Sequence, residues 1–104
     1  MEANAIVDTT VAIGSHGPGL ITVFTVLEHP PAANYFDVVL PEVRDYARAA
    51  DLAIALRRNG TPIGAVDVMI AAMCINRNAK VVTKDRDFLV VREVVPEFEI
   101  EFQI

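Results

Sequence analysis

Short apolar runs alternate along the chain with polar turns, and most of them have the length of strands. Candidate strands lie at residues 5–7, 20–21, 36–40, 81–83 and 98–102. Brief runs rich in β-branched residues and bounded by turn formers are typical of strands buried in a parallel sheet. The last run alternates apolar and polar residues, as an edge strand does. The sequence therefore predicts several short strands, one of them at an edge.

Longer segments carry a helical pattern. One begins near Pro41 and ends near Gly60, and its apolar residues recur at helical spacing: Val43, Tyr46, Ala47, Ala50, Ala53 and Ile54. This spacing predicts an amphipathic helix with that stripe as its apolar face. Another helix opens at Asp67 and ends near Asn76 or Asn78, and it is apolar at every position from 68 to 75. We expect this second helix to be enclosed on all sides.

Strands that alternate with helices predict an α/β fold in which helices cover a mainly parallel sheet. The chain has 104 residues, 53% of them hydrophobic, which suits one core, so we expect a single domain over residues 1–104. No apolar run reaches the roughly 18 residues of a membrane span. The first four residues lack the basic start of a secretory signal, and the lone Cys74 excludes an intramolecular disulfide. These features predict a soluble, cytoplasmic protein.

Acidic residues stand at the edges of these apolar segments. Asp8 follows the first strand, Glu28 ends a helical turn that Thr22 caps, and Asp67 opens the apolar helix. Asp85 and Asp87 follow a later strand. Ligands of open α/β sheets bind beyond the carboxyl ends of the strands, so these acids are expected to share one crevice. Carboxylates gathered in this way repel one another unless a cation lies between them.

The composition of this expected crevice indicates a hard metal ion. Carboxylate oxygens with hardly any His or Cys nearby suit Mg²⁺ or Mn²⁺ better than zinc or copper. Such ions polarise phosphoryl oxygens and lower the pKa of water, which hydrolysis of a nucleic-acid backbone requires. The net charge of −5 argues against purely electrostatic capture of nucleic acid. Phosphate contacts would fall to nearby cations: Lys84, Arg86, Arg92, Arg57 and Arg58.

Each acid taken singly also has a structural explanation. Asp67 fits a helix N-cap, and Asp8 before two threonines fits a cap or an Asx-turn. Glu28 fits a solvated surface acid, while Asp85 and Asp87 fit an acidic turn. Only their joint positions favour a shared site.

Four segments taken together resemble the PIN domain family, most closely its VapC-type toxins. They are Asp8-Thr9-Thr10-Val11, Thr25-Val26-Leu27-Glu28, the run from Gly60 to Ala72, and Val82-Thr83-Lys84-Asp85-Arg86-Asp87-Phe88. The most specific parts are Pro-Ile-Gly-x-x-Asp-x-x-Ile-Ala-Ala and Thr-x-Asp-x-Asp-Phe. The resemblance spans nearly the whole chain, and it implies a three-layer α/β/α domain with a mainly parallel central sheet.

The resemblance also implies a metal-dependent endoribonuclease, in which a metal-activated water attacks an RNA phosphodiester. The positions that match the family's catalytic quartet are Asp8, Glu28, Asp67 and Asp85. The positions that match its Mg²⁺ or Mn²⁺ ligands are Asp8, Asp67, Asp85 and Asp87. Thr9 and Thr83 match hydroxyl positions that orient those ligands.

Toxins of this type imply three partners: an RNA substrate, a second copy in a homodimer, and a small antitoxin protein that occupies the site. The intervals from Asp8 to Glu28 and from Glu28 to Phe36 are shorter than is usual in the family. They leave a second interpretation open, a PIN-like module that binds protein or RNA and has lost its chemistry. A phosphoryl-accepting receiver domain fits less well, because the chain lacks an adjacent acidic pair at the first strand.

Overall fold

The computed structural model describes residues 4–103, which form a parallel sheet between two layers of helices. The strands are β1 (Ala5–Val7), β2 (Leu20–Thr22), β3 (Asp37–Val39), β4 (Lys80–Thr83) and β5 (Ile100–Phe102). The helices are α1 (Thr9–Ala12), α2 (Val23–Glu28), α3 (Val43–Arg58), α4 (Ala65–Asn76) and α5 (Val91–Val94), with 3₁₀ segments at Pro30–Asn34 and Arg86–Val90.

The five strands run parallel in the order β3-β2-β1-β4-β5. Ile6 of β1 pairs with Val81 of β4, and Thr83 of β4 pairs with Phe102 of β5. Because every strand points the same way, all five carboxyl ends meet at one edge of the sheet. This arrangement confirms the predicted α/β fold and makes β5 an edge strand, as expected.

Alternate residues of each strand face different helical layers. Ile6 and Val81 belong to the main core, which the sheet forms with α3, α4 and α5. Ala5 and Val82 pack on the opposite side against Val11 of α1. Helix α4 is buried along most of its length, at Val68 and from Ile70 to Cys74, so the expectation that it is enclosed is confirmed.

The prediction of which face of α3 meets the core is wrong. Val43, Tyr46 and Ile54 are exposed, with 87%, 56% and 49% of their surface accessible. The buried face is the opposite one, formed by Asp45, Ala49, Leu52 and Leu56. Helix α3 carries apolar residues on both sides, and periodicity alone does not show which side meets the core.

A buried ion pair fixes the choice of face. Asp45 is completely buried, and the guanidinium of Arg77 donates one hydrogen bond to each of its oxygens, at 2.8 and 2.9 Å. The Asn76 side chain and the Glu42 amide donate two more, at 2.9 and 2.7 Å. Burial alone would raise the pKa of Asp45, but these hydrogen bonds hold it well below its usual value. The network ties the start of α3 to the end of α4.

The short elements follow the sequence signals closely. Helix α2 begins after Thr22, whose hydroxyl accepts the Thr25 amide at 3.4 Å, and it ends at Glu28 before Pro30. Helix α1 has only four residues. Within residues 4–103, every helix is too short or too polar to cross a membrane.

Candidate metal centre

A pocket at the carboxyl edge of the sheet collects four of the five acids that the sequence singles out, all except Asp87. Its lining residues are Asp8, Thr9, Thr10, Ile13, Glu28, Asp67 and Asp85. They come from the ends of β1 and β4 and from α1, α2 and α4. Four carboxylates from four separate segments therefore open into the same space.

Asp8 is the innermost acid, with 3% of its surface exposed. Its amide donates to the Val82 carbonyl at 2.9 Å and so continues the pairing of β1 with β4. Although Asp8 occupies the N-cap position of α1, its side chain makes no capping hydrogen bond. The carboxylate oxygen Oδ2 instead accepts the hydroxyls of Thr83 at 2.7 Å and Thr10 at 2.8 Å. The N-cap explanation of Asp8 is thus not supported.

Thr10 is a part of the site that sequence reasoning missed. Besides donating to Asp8, its hydroxyl accepts the Lys84 amide at 3.0 Å, while the Thr83 hydroxyl accepts the Asp85 amide at 2.9 Å. The two threonines thereby link the end of β1 to the turn after β4. Lys84 lies 74 positions from Thr10, so no local sequence pattern marks this contact.

A second hydroxyl holds Glu28. The Thr9 hydroxyl donates to Glu28 Oε1 at 2.6 Å, and the Thr9 and Thr25 hydroxyl oxygens lie 3.0 Å apart. Thr25 is completely buried, so the Thr9 hydroxyl that holds Glu28 rests on a residue fixed in the protein interior. Thr9 and Thr83 thus contact different carboxylates of the pocket, Glu28 and Asp8.

Asp67 does not open its helix as expected. Helix α4 begins two residues earlier, at Ala65, with Gly64 as its N-cap. Asp67 is therefore in the first turn rather than at the cap, where its charge still suits the positive end of the helix dipole. The explanation of Asp67 as a structural N-cap is wrong, because another residue holds that position.

The pocket carries an excess of negative charge. Burial, followed by repulsion from the carboxylates around it, raises the pKa of Asp67 to about 6. The repelling acids are Asp8, Asp85, Asp87 and Glu28. Among residues 4–103, the ion pairs join Arg44 to Glu42, Arg77 to Asp45 and Lys80 to Glu101, all outside the pocket.

The oxygens of this cluster fit a divalent cation. One oxygen each from Asp67, Asp85 and Asp87 lies within 4.8 Å of the other two. Two opposite ligands of an octahedral Mg²⁺ are about 4.2 Å apart, because each Mg–O bond is about 2.1 Å long. The three oxygens are thus near enough to one another to be brought onto one ion when their side chains draw together. The donor set consists of oxygen only, which suits Mg²⁺ or Mn²⁺.

Asp85 and Asp87 are themselves connected. Asp85 caps the 3₁₀ segment that follows β4, and its Oδ1 accepts the Asp87 amide at 2.9 Å. The structural explanation of Asp85 as a turn residue is therefore correct as far as it goes. The same turn also brings the two carboxylates to Asp67.

A comparison of the sequence with known protein families adds an independent observation. The family model of the PIN domain matches residues 19–94, which is most of the chain. The chain belongs to the PIN domain family. The matched region of this PIN domain includes Glu28, Asp67, Asp85 and Asp87, whereas Asp8 precedes it. A search of curated proteins found no match.

Solved structures share the fold of this PIN domain. VapBC2 from Rickettsia felis, bound to a DNA fragment from its promoter, gives a TM-score of 0.74 at 14% identity, over 94% of this chain and 97% of that chain. DNA-bound VapBC from Salmonella typhimurium gives 0.73 at 21% identity, and VapBC-5 from Mycobacterium tuberculosis gives 0.72 at 21% identity. Both of these matches cover 95% of this chain and 97% of the other. The predicted PIN-like fold is confirmed.

Proposed function

We propose that this PIN domain is a Mg²⁺- or Mn²⁺-dependent endoribonuclease and the toxin of a VapBC-type toxin–antitoxin pair. The observation that carries the proposal is the convergence of carboxylates in one pocket, where oxygens of Asp67, Asp85 and Asp87 lie within 4.8 Å of one another. Burial, and then repulsion from the neighbouring carboxylates, raises the pKa of Asp67 to about 6. Crowding of like charges destabilises a folded protein, and arrangements of this kind are typical of functional sites. A bound cation would relieve the repulsion, and hydrolysis of a phosphodiester is the chemistry that such a site serves.

Four residues would hold the ion: Asp8, Asp67, Asp85 and Asp87. When bound, the ion supplies a Lewis acid for the phosphoryl oxygens and lowers the pKa of water. Thr10 and Thr83 hold one oxygen of Asp8 in place. Oriented ligands of this kind need less rearrangement when the ion arrives.

Glu28 has a different role in the proposal. The Thr9 hydroxyl fixes its Oε1 at 2.6 Å, and Glu28 lines the same pocket as Asp67. A carboxylate held at the rim of the pocket accepts a proton from the water that attacks the phosphodiester. Thr9 would therefore position the proton acceptor, while Thr10 and Thr83 position a metal ligand.

The proposed partners are RNA, an antitoxin protein and a second copy of the chain, in the cytoplasm. The structural neighbours are VapBC assemblies, which supports an antitoxin partner by analogy. The exposed residues Val43, Tyr46 and Ile54 give α3 an apolar surface of the kind that subunit contacts bury. We assign the homodimer contact to this surface, named here the α3 stripe.

The test of the function compares Asp67→Asn with Asp51→Asn, which removes an exposed acid from α3. Cleavage of a mixed RNA pool is measured with Mn²⁺ and with EDTA. Asp67→Asn should lower the rate by on the order of 100-fold or more, beyond the effect of losing a residue that only supports a ligand. Asp51→Asn should cleave like the wild type. Equal activity of all three proteins would remove Asp67 from the mechanism.

A module without chemistry is the second candidate, because α1 and α2 have only four and six residues. The two candidates differ in metal binding. A native-state ligand at 100 times its dissociation constant stabilises the fold by about 2.7 kcal/mol. A rise in melting temperature with Mn²⁺ therefore favours the nuclease, and no rise favours the module.

A further inference from the structure

Arg86 separates Asp85 from Asp87 in the sequence, yet its side chain lies over the ring of Phe102. Its guanidinium carbon lies 5.5 Å from the centre of the Phe102 ring. Among residues 4–103, the ion pairs do not include Arg86. Both partners reach solvent: Arg86 is exposed, and Phe102 has 37% of its surface accessible. A flat cation and a flat ring thus form an exposed pair beside the acidic pocket.

The sheet fixes this pair relative to the pocket. Phe102 is the register partner of Thr83, and the Gln103 amide donates to the Thr83 carbonyl at 2.9 Å. The Thr83 hydroxyl in turn donates to Asp8. Phe102 therefore stands at the same carboxyl edge as the acids, one strand further out.

We propose that Arg86 and Phe102 form a stacking site for one unpaired nucleobase of the RNA that the pocket cleaves, an inference that rests on the proposed function. Bases of single-stranded RNA stack on aromatic rings and on guanidinium planes. A platform of this kind tolerates any base, because every base has a π-face. The substrate class is therefore single-stranded RNA rather than a duplex, whose bases already stack on one another.

The negative charge of the protein means that RNA binding needs a contribution other than electrostatic attraction. The net charge is −5, and the pocket itself is acidic, so electrostatic attraction supplies little affinity for RNA. Stacking does not depend on net charge. Arg86 adds a positive charge on the Phe102 ring beside the pocket, where it can also meet a phosphate.

A purely structural role is the competing explanation, in which the pair only covers the edge strand β5. The two explanations differ in their consequences. A structural pair affects the melting temperature and leaves the RNA affinity unchanged. A stacking platform affects the RNA affinity and the fluorescence of a stacked base.

The experiment measures binding of a fluorescein-labelled single-stranded RNA by anisotropy in Ca²⁺, with a gel to show that the RNA stays intact. Phe102→Leu keeps an apolar side chain but removes the ring, and its dissociation constant should rise by about tenfold. Phe102→Trp should restore binding to the wild-type level or better. Arg86→Lys keeps the charge and loses the plane, so it should weaken binding by a smaller factor.

The matched control is Tyr35→Leu. Tyr35 is also an exposed aromatic residue, with 47% of its surface accessible, but it precedes β3 at the opposite edge of the sheet. The Tyr35→Leu variant should bind RNA with the affinity of the wild type. An RNA that carries 2-aminopurine provides a second readout, because its fluorescence should be quenched by the wild type and less by Phe102→Leu.

The outcomes separate the platform from the nuclease. If the wild type cleaves RNA with Mn²⁺ and Phe102→Leu binds with wild-type affinity, the stacking site is overturned and the nuclease stands. If Phe102→Leu lowers the melting temperature but leaves the RNA affinity unchanged, the pair is structural and the stacking site is likewise overturned. If the wild type neither binds nor cleaves RNA, the proposed function fails, and the stacking site fails with it.

Discussion

At the scale of single residues, Asp67 reports the electrostatic state of the site. Its pKa is raised from 3.8 to about 6 by burial and by neighbouring carboxylates. The folded protein therefore binds this proton more tightly than the unfolded chain does. The stability that this proton gives the folded state is fully present below the ordinary pKa of 3.8, and it is lost as the pH rises through the raised pKa of about 6. Without metal, an ionised Asp67 thus destabilises the fold at neutral pH.

Asp67→Asn should consequently stabilise the metal-free protein at pH 7. We expect a gain of about 1–2 kcal/mol, less than the full pKa shift implies because solvent screens the partly exposed side chain. Urea unfolding in EDTA at several pH values measures the difference between variant and wild type. The difference should shrink as the pH falls from 6 to 4. A constant difference over this range would contradict the assigned pKa.

Thr10 provides a second test at this scale. Its hydroxyl joins Asp8 to the Lys84 amide, so Thr10→Val should weaken Mn²⁺ binding by about 10- to 100-fold, the effect of losing a group that orients a ligand. Thr10→Ser keeps the hydroxyl and should restore the affinity. Calorimetric titration with Mn²⁺ measures both. Equal affinities of Thr10→Val and Thr10→Ser would show that the hydroxyl does not position Asp8.

At the scale of elements, the contact of α3 with α4 depends on Asp45. Replacing Asp45 by Asn leaves the Arg77 guanidinium partly buried without its carboxylate, and we expect a loss of about 3–5 kcal/mol. Asp51→Asn on the exposed side of α3 should change stability by less than about 0.5 kcal/mol. Urea unfolding at pH 7 measures both. A small effect of Asp45→Asn would mean that the two helices pack without the ion pair.

Sequence patterns located the elements better than they oriented them. The strands near 5–7, 20–21 and 81–83 lie where brief β-branched runs predict them, because such runs have few alternatives to a buried strand. The orientation of α3 was not predictable from periodicity, since its buried face includes the charged Asp45. The predicted start of α4 was two residues too late. Asp67 is a residue type that favours the N-cap, whereas Ala65 and Val66 carry no signal that marks a helix start.

At the scale of the whole molecule, the acids of the site were easier to find than the groups that hold them. Asp8 and Asp85 end apolar strands, and the topology of a parallel sheet then brings strand ends to one edge. Thr10 and Arg86 act through partners far along the chain, Lys84 and Phe102. Contacts of this kind depend on register, which single-sequence patterns do not determine.

The α3 stripe makes a prediction about assembly. Tyr46→Lys places a charge in the centre of the proposed homodimer contact, where an unpaired charge is costly to bury. Sedimentation analysis should show a dimer for the wild type and mainly a monomer for this variant. Unchanged sedimentation of Tyr46→Lys would place the dimer contact elsewhere or exclude it.

The most direct test is anomalous diffraction from crystals of the wild-type protein grown with Mn²⁺. The account predicts one strong anomalous peak within bonding distance of carboxylate oxygens of the four proposed ligands, Asp8, Asp67, Asp85 and Asp87. A peak elsewhere, or an empty pocket at saturating Mn²⁺, would contradict the claim that these acids gather to bind a cation.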